Sequence, residues 1–327
     1  MALLKDCVFS DLMLTEGTPD SWFFKGTPDL GEKLTPVKPE LHEELRDFLK
    51  KIKAVYSGVE NPFLRRFRVE HNDTLFRVSL FNDIRQGATF FIRRLADSVP
   101  EFTSLGMPER VCDWLLQPEH SKGLVLFAGP QCAGKTTSAN AFIKSRLTTN
   151  GGHAVTFEHP VELPLAGPHG QNGFCWQSEI TSEAELPSHI ERTHSYGAPN
   201  IIFIGEIRSK HAATETLRAA LGSSKQLVVA TLHGLTISAA LDRLLIGARE
   251  VDGLIAQHNL AEVLAGIVFQ EIEYNKSLEM RKLEVKFLMV PFDDRGTSIR
   301  GKLRTGNLFF DDDIRDQKNK LIFDGKL

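Results

Sequence analysis

The segment from Gly129 to Thr136, Gly-Pro-Gln-Cys-Ala-Gly-Lys-Thr, constrains the fold more than any other part of this sequence. It fits the pattern G-x-x-x-x-G-K-[ST], which has meaning only where a buried strand leads into the loop and a helix follows it. The apolar run Gly123 to Ala128 supplies such a strand, and Thr137 to Ser145 is compatible with a helix. The chain is therefore predicted to form a strand, a phosphate-binding loop and a helix here.

The fixed positions of this loop each have a chemical role toward a nucleotide phosphate. Gly129 and Gly134 let the backbone turn tightly and point N–H groups at phosphate oxygens. Lys135 supplies a positive charge to the β- and γ-phosphates, and the Thr136 hydroxyl is placed to ligate Mg²⁺. ATP and Mg²⁺ are therefore the expected ligands. The predicted nucleotide-binding residues of the loop are Gly129, Pro130, Gln131, Cys132, Ala133, Gly134, Lys135, Thr136 and Thr137.

Further apolar runs place the loop in a larger α/β unit. Strands are predicted at Ala154 to Phe157, Ile201 to Ile204 and Leu227 to Ala230, with helical segments between them. A helix is predicted from Glu109 to Leu116, before the first strand. Strands that alternate with helices favour a parallel sheet whose active residues lie at the carboxyl ends of the strands.

Polar residues stand where these strands end. Glu206 and Glu158 each follow a buried strand, and one carboxylate could activate water while the other orients Mg²⁺. Both are therefore predicted to be catalytic, with Glu158 also a candidate to place the metal ion. His233 follows a third strand and is predicted to sense the γ-phosphate. The alternatives are ordinary surface acids for the two glutamates and a structural hydrogen-bonding role for the histidine.

The residues before this unit predict a smaller α+β unit. Val8 to Leu14 resembles a strand, and Pro39 to Tyr56 has apolar residues along one helical face. Strands are also predicted at Leu75 to Leu80 and Thr89 to Arg93. Loop-like composition at Pro100 to Pro108 predicts a linker, so the domains are predicted as residues 1–104 and 105–327.

The C-terminal part is predicted to be mainly helical. Residues 236–275 have a helical pattern, and the apolar run Leu264 to Phe269 is interpreted as a buried helix. One strand is predicted from Glu284 to Val290. The charged segment Asp311 to Leu327 is interpreted as a mobile tail.

Composition narrows the class of function. A net charge of -3 and the lack of an aromatic-basic groove pattern argue against direct action on nucleic acid. No apolar stretch approaches the roughly 20 residues of a membrane span, and the first residues lack the apolar core of a signal peptide. Membrane contact is therefore expected only through a partner. The four cysteines are Cys7, Cys112, Cys132 and Cys175. Because they are widely spaced and form no zinc or disulfide pattern, we expect reduced thiols in the cytoplasm.

Taken together, these segments resemble the secretion-type ATPases of type IV pilus and type II/IV secretion systems, most of all the PilT-like pilus retraction motors. The family's tetracysteine zinc module, found in its pilus-assembly and type II secretion members, is absent, which favours the retraction type. The matches are Gly129 to Thr136 with the Walker A loop, Thr156 to Glu162 with the aspartate box, Ile201 to Arg208 with the Walker B run, Ala230 to Arg243 with the histidine box, Phe76 to Arg85 with the end of the N-terminal domain, Leu105 to Met107 with the linker, and Ser298 to Arg304 with the retraction signature A-I-R-N-L-I-R.

The resemblance implies an N-terminal PAS-like α+β domain and a C-terminal RecA-like ATPase domain with a helical C-terminal part. It implies a homohexamer in the cytoplasm, peripheral at the inner membrane through a pilus or secretion platform protein. ATP would lie between the two domains of one subunit, with arginines from a neighbour completing the site. Glu206 would be the catalytic glutamate. The candidate phosphate-binding arginines, any of which could instead be a surface cation, are Arg208, Arg192, Arg77 and Arg93.

This sequence also departs from the family pattern. Three alternatives therefore stay open: a hexameric ATPase that drives pilus retraction, a DotB-like secretion or conjugation ATPase, and a weakly active nucleotide-binding regulatory paralogue. The departures are His159 in place of Asp, Tyr196 in place of an arginine, Ser209 in place of the Asp after G-E-M-R, and Lys225-Gln226 in place of Gly-His.

Overall fold

The chain forms two compact units that divide between Asp97 and Ser98. Val99, Phe102 and Met107 are buried in the core of the second unit, so the segment predicted as a linker packs as part of that unit. The computed structural model describes residues 4–17, 19–27, 33–57, 66–84, 87–193, 195, 197–222, 225–275 and 280–323.

The first unit is an antiparallel sheet with one long helix. Helix α1 (His42–Ser57) buries Leu45, Phe48 and Ile52, whose spacing of three and four residues puts them on one face. This confirms the predicted helix, although a 3₁₀ turn occupies its first predicted residues, Pro39–Leu41. The strands are β1 (Asp11–Thr15), β2 (Phe23–Lys25), β3 (Thr35–Pro36), β4 (Arg66–His71), β5 (Thr74–Asp83) and β6 (Gly87–Arg94), in the spatial order β3-β2-β1-β6-β5-β4.

The second unit is an eight-stranded sheet in the order β14-β13-β7-β12-β11-β8-β10-β9. The pairs from β13 through β10 are parallel, and β14 and β9 pair antiparallel at the two edges. The strands are β7 (Gly123–Gly129), β8 (Gly152–Glu158), β9 (Gly167–His169), β10 (Gly173–Glu179), β11 (Ile201–Ile207), β12 (Leu227–His233), β13 (Leu264–Asn275) and β14 (Met280–Met289). The helices are α2 (Glu109–Leu116), α3 (Lys135–Asn150), α4 (Leu186–Thr193), α5 (Lys210–Leu221), α6 (Ile237–Asp252), α7 (Ile255–Val263), α8 (Thr297–Arg304) and α9 (Asp311–Phe323).

The core lies on both faces of this sheet, which explains the continuous apolar runs in the sequence. Every residue of β7 is buried. Leu124 and Leu126 pack into one cluster, whereas Val125 and Phe127 pack into the other. A strand buried on both faces needs apolar residues at consecutive positions, so the predicted strand is confirmed together with its burial.

The predicted helix at Leu264 to Phe269 is wrong, because this run is the first half of β13. It pairs with β7 on one side and with β14 on the other. A short apolar run has no period that separates a buried strand from a buried helix, so partners distant in sequence decide its conformation. The helical pattern predicted for 236–275 therefore ends with α7 at Val263.

The mobile tail predicted from Asp311 is also wrong for residues 311–323, which form α9. The Gln317 side chain accepts from the Met289 N–H (2.9 Å) and donates to its carbonyl (2.8 Å), which ties the helix to β14. Lys302 of α8 pairs with Asp313 at 2.6 Å. Acidic residues in the first turn of α9 also suit the positive end of its dipole. Residues 324–327 of the predicted tail lie outside the described residues.

The segment that resembles the retraction signature forms α8, and its arginine is buried. Arg300 donates to the carbonyls of Ala261, Leu264, Val290 and Pro291. Its side chain therefore ties α8 to the end of α7 and to the end of β14. Across the described ranges, none of the helices combines the length and apolar character that crossing a bilayer requires.

Candidate nucleotide site

The predicted phosphate loop joins β7 to α3 at the carboxyl edge of the sheet. Gly134 is in the left-handed region (φ 79°) and precedes the helix, and no side chain caps the helix N-terminus. The first amides of α3 are therefore free to bind an anion, an interaction that the helix dipole favours. Thr136 and Thr137 lie half-buried in the first turn, whereas Gln131 and Cys132 are exposed at the tip of the loop.

Gly129 is required by the packing beneath the loop. It has a φ of 154°, and a Cβ at this position would lie 2.1 Å from the backbone oxygen of Gln270 on β13. No larger residue can occupy this position unless the backbone moves. The cradle therefore depends on close contact between two adjacent strands.

Lys135, His233 and Glu206 form a connected set of side chains. Lys135 Nζ donates to Pro130 O (2.6 Å) and lies 3.3 Å from His233 Nδ1, and His233 Nε2 lies 2.6 Å from Glu206 Oε1. Burial, together with the charge of Lys135, lowers the pKa of His233, so the ring is neutral at neutral pH. Because an ammonium group can only donate, Nδ1 accepts, which leaves the single ring proton on Nε2. Glu206 Oε1 lies close to Nε2 but is buried without a hydrogen-bond partner among the described residues.

Arg208 completes this set from the other side. It follows Glu206 by two residues, directly after β11, and donates to the second carboxylate oxygen, Oε2. The Glu206 carboxylate is therefore held at Oε2 by a guanidinium, while Oε1 lies beside the neutral histidine. Burial lowers the pKa of Lys135, although the nearby Glu206 charge opposes that shift.

Glu158 lies at the end of β8, beside the strand that carries Glu206. It is 1% exposed, and its Oε1 accepts from Thr156 Oγ1 (2.7 Å) and Gln177 Nε2 (2.9 Å). Its Oε2 is buried without a hydrogen-bond partner among the described residues. Burial raises the pKa of Glu158 to about 7. Gly205 leaves room for this side chain, because a Cβ there would lie 3.1 Å from the Glu158 Cγ atom.

The other predicted arginines lie elsewhere in the fold. Arg192 is exposed in the last turn of α4. Arg77 and Arg93 face each other across β5 and β6 in the first unit. The Arg93 guanidinium donates to both carboxylate oxygens of Asp11, at 2.8 and 3.1 Å. Of the two predicted arginines in the second unit, Arg208 contacts Glu206.

The departures from the family pattern have separate structural consequences. Ser209 caps α5 by accepting from the Ala212 N–H, and His159 Nδ1 donates to Ile180 O at 2.8 Å. Gln226 is buried just before β12, at the sheet edge opposite the loop, where it donates to Pro199 O. Lys225 precedes it at that same edge. Tyr196 lies outside the described residues.

Two glutamines belong to this site although sequence reasoning missed both. Gln177 on β10 donates to Glu158, and Gln270 on β13 donates to Ala133 O at 2.6 Å. Neither lies in a motif. Because Leu264 to Phe269 was predicted to be a helix, Gln270 was not expected at the end of a strand beside the loop. A polar residue directly after an apolar run was the only available signal.

These residues fit a nucleotide with a divalent cation. The close-packed glycine, the uncapped helix and Lys135 suit a phosphate chain, and Thr136 in the first turn of the helix has a hydroxyl that could ligate the cation. Among the described residues, no group of three or more His, Cys, Asp or Glu side chains could hold a metal ion.

Comparisons with known proteins agree with this geometry. Residues 65–294 match the family model described as Type II/IV secretion system protein. The type IV pilus ATPase PilU of Pseudomonas aeruginosa is 29% identical over 247 residues, which cover 72% of this chain and 59% of PilU. This chain therefore spans about three fifths of the length of that relative.

Solved structures share the fold over nearly the whole chain. The pilus retraction motor PilT with bound ADP superposes with a TM-score of 0.69 at 23% identity, covering 97% of this chain and 86% of PilT. The ATPase DotB of Legionella pneumophila also gives 0.69, at 17% identity, covering 98% of this chain and 92% of DotB. With its motifs in place and its family model matched over most of its length, the chain is a PilT-like member of the type II/IV secretion system protein family.

Proposed function

We propose that this chain is an ATP-hydrolysing motor subunit that drives the retraction of a type IV pilus. The contact network around Glu206 carries the proposal. A carboxylate at a strand end, held at one oxygen by Arg208 and close to His233, which contacts Lys135, is what an in-line attack of water on a phosphate requires. The name of the relative PilU, a type IV pilus ATPase, supports the same activity.

In this proposal each side chain of the cluster has a distinct task. Glu206 orients water and takes its proton, while Arg208 keeps the carboxylate in place. Lys135 exchanges its contact with Pro130 O for phosphate oxygens and stabilises their charge. Mg²⁺, when bound with ATP, supplies further charge neutralisation and would be held by Thr136, with Glu158 as the candidate acid that orients it.

The test replaces Glu206 by glutamine in the full chain. Glutamine keeps the oxygen that faces His233 but cannot take a proton, so ATP turnover should fall by at least about 10²-fold. Binding of ADP with Mg²⁺ should stay close to wild type, because the loop is untouched. Steady-state phosphate release and a nucleotide titration measure the two quantities.

Glu250→Gln is the matched control, because this exposed acid only pairs with Lys210 on the surface. It should leave turnover unchanged. Undiminished turnover in Glu206→Gln would refute the assignment of Glu206, and a wild-type protein that binds no nucleotide would refute the function itself.

The larger assembly is part of the same proposal. The first unit would be the PAS-like domain and the second the RecA-like domain, in a cytoplasmic homohexamer peripheral at the inner membrane. A pilus or secretion platform protein would provide the membrane contact. Arg192, Arg77 and Arg93 are the proposed further phosphate-binding arginines.

A DotB-like secretion or conjugation ATPase is the second candidate. It is supported by the DotB structure, which superposes with the same TM-score as PilT. Deletion of the gene distinguishes the two: hyperpiliated cells without twitching support retraction, whereas normal pili with a failed export of protein or DNA–protein substrates support secretion. Wild-type turnover far below that of PilU would instead favour the regulatory paralogue, which the departures at His159, Tyr196 and Lys225-Gln226 motivate.

A further inference from the structure

We infer that Gln270 is a positioning residue that fixes the phosphate loop from below, so that the Gly134 N–H faces the nucleotide before any nucleotide binds. The inference deepens the proposed function and rests on it. No predicted motif contains this residue, and its strand was not expected to lie beside the loop.

The register of β13 brings Gln270 under the loop. Phe269 is paired with Ala128 on β7, so the next residue lies beside Gly129, where β7 ends. Gln270 is 1% exposed and its Nε2 donates to Ala133 O at 2.6 Å. Since a carbonyl can only accept, the orientation of the side-chain amide is fixed with its NH₂ toward the loop.

The same residue contacts the loop at three positions. Its backbone oxygen lies against Gly129, where a Cβ would come within 2.1 Å. Its side-chain Nε2 would lie 3.3 Å from a Cβ on Gly134. With the hydrogen bond to Ala133, Gln270 therefore meets both glycines of the loop and the residue that precedes the second glycine.

The hydrogen bond to Ala133 has a geometric consequence for the phosphate side. In a trans peptide the C=O and the next N–H point in opposite directions. Holding the Ala133 carbonyl on the β13 side therefore directs the Gly134 N–H away from β13, into the loop, where it can meet a phosphate oxygen. Without this contact the peptide between Ala133 and Gly134 could rotate and lose that donor.

Stability alone does not account for a glutamine here. Burial of an amide is unfavourable unless its polar atoms are bonded, and Gln270 Oε1 is buried without a partner among the described residues. An apolar side chain of similar length would avoid that penalty. The glutamine is explained by the contact that it makes to the loop.

The test is Gln270→Met in the full chain, which keeps the side-chain length and removes the donor. Hydrogen exchange of a peptide covering residues 129–136, measured without nucleotide, should become faster than in wild type. The affinity for ADP with Mg²⁺ should fall by about fivefold or more, the fold-change that corresponds to one net hydrogen bond. The thermal unfolding midpoint without nucleotide should change little.

Glu271→Gln is the control, because it is the next residue on the same strand and its side chain is exposed. It should alter neither exchange nor affinity. Gln270→Glu is a second variant, in case the methionine variant does not fold. A protonated carboxyl group can donate to Ala133 O whereas a carboxylate cannot, so its affinity relative to wild type should recover as the pH is lowered.

Unchanged hydrogen exchange of the loop peptide in Gln270→Met would overturn the inference. If the methionine variant does not fold, unchanged exchange in a folded Gln270→Glu protein would do the same. So would a Gln270→Met protein with a lowered unfolding midpoint but wild-type exchange and affinity, which would assign the residue to stability. Absence of ADP binding by the wild-type protein would contradict the proposed function. Because the exchange measurement needs no nucleotide, it still decides whether Gln270 orders the loop in that case.

Discussion

At the scale of single residues, the site is organised by the limited hydrogen-bonding capacity of each group. Lys135 can only donate, so His233 must accept at Nδ1 and carry its proton on Nε2, which lies 2.6 Å from Glu206 Oε1. Arg208 donates to the other oxygen of Glu206. The three motifs that the sequence supplied separately therefore meet in one cluster of contacting polar side chains.

The buried Glu158 should make the free energy of unfolding depend on pH. Burial raises its pKa from 4.5 to about 7, so the folded protein retains a proton that the unfolded chain releases between these values. The free energy of unfolding should therefore fall as the pH rises through this range and level off above about 7. Glu158→Gln should remove this slope and be more stable than wild type above neutral pH by up to about 3 kcal/mol.

Urea unfolding without nucleotide and with EDTA, at about pH 5 and about pH 8, measures this effect. The two proteins should differ little at the lower pH. Glu250→Gln is the control, since that acid is exposed and makes only a surface ion pair. Equal stability of Glu158→Gln and wild type at the higher pH would show that Glu158 does not hold a proton in the folded state.

Local motifs in the sequence predicted three of the clustered residues, whereas residues that make contacts across the sheet were missed. Glu158, Glu206 and His233 were found because each follows an apolar strand. Gln177 and Gln270 contribute through contacts with residues 19 and 137 positions away in the chain. No local pattern encodes such a pairing.

At the scale of elements, the strand β13 explains why one glycine of the loop is indispensable. Gly129→Ala places a Cβ against the Gln270 carbonyl, so the loop must shift and nucleotide affinity should fall by more than about tenfold. The free energy of unfolding should also fall, by roughly 1–3 kcal/mol, the usual range for overpacking. A nucleotide titration and urea unfolding measure the two effects.

Gly301→Ala is the matched control in α8. A Cβ at that position meets no atom within 4 Å, and alanine is favoured over glycine in a helix by about 0.5–1 kcal/mol. This variant should therefore be slightly more stable than wild type, with unchanged nucleotide affinity. Similar effects of the two alanine substitutions would show that the close contact at Gly129 does not constrain the loop.

The misassigned elements also have an identifiable cause. The first half of β13 is as apolar as a buried helix, and the charged residues of α9 gave no apolar stripe to recognise. Pairing with β7 and β14 makes the first half of β13 a strand. The contact of Gln317 with Met289 and the ion pair of Asp313 with Lys302 hold α9 in place.

At the scale of the whole molecule, the proposed motor predicts an assembly of six identical chains. The wild-type protein with ADP and Mg²⁺ should have the mass of six copies of the 36.6 kDa chain in mass photometry. Lys135→Ala should weaken phosphate binding. If bound nucleotide links the subunits, the mass distribution of this variant should shift from six copies toward smaller species. A wild-type protein that stays monomeric over the whole concentration range would contradict the ring.

The sequence by itself determined the phosphate loop, the strand before it, the helix after it and the acids that follow two strands. Each depends on residues close together in the chain, where glycine conformation and apolar periodicity act directly. Only the tertiary structure decided that Leu264 to Phe269 is a strand, that Glu158 is held by Gln177, and that Gln270 supports the loop. Those outcomes depend on contacts between distant segments, whose energies no local stretch of sequence records.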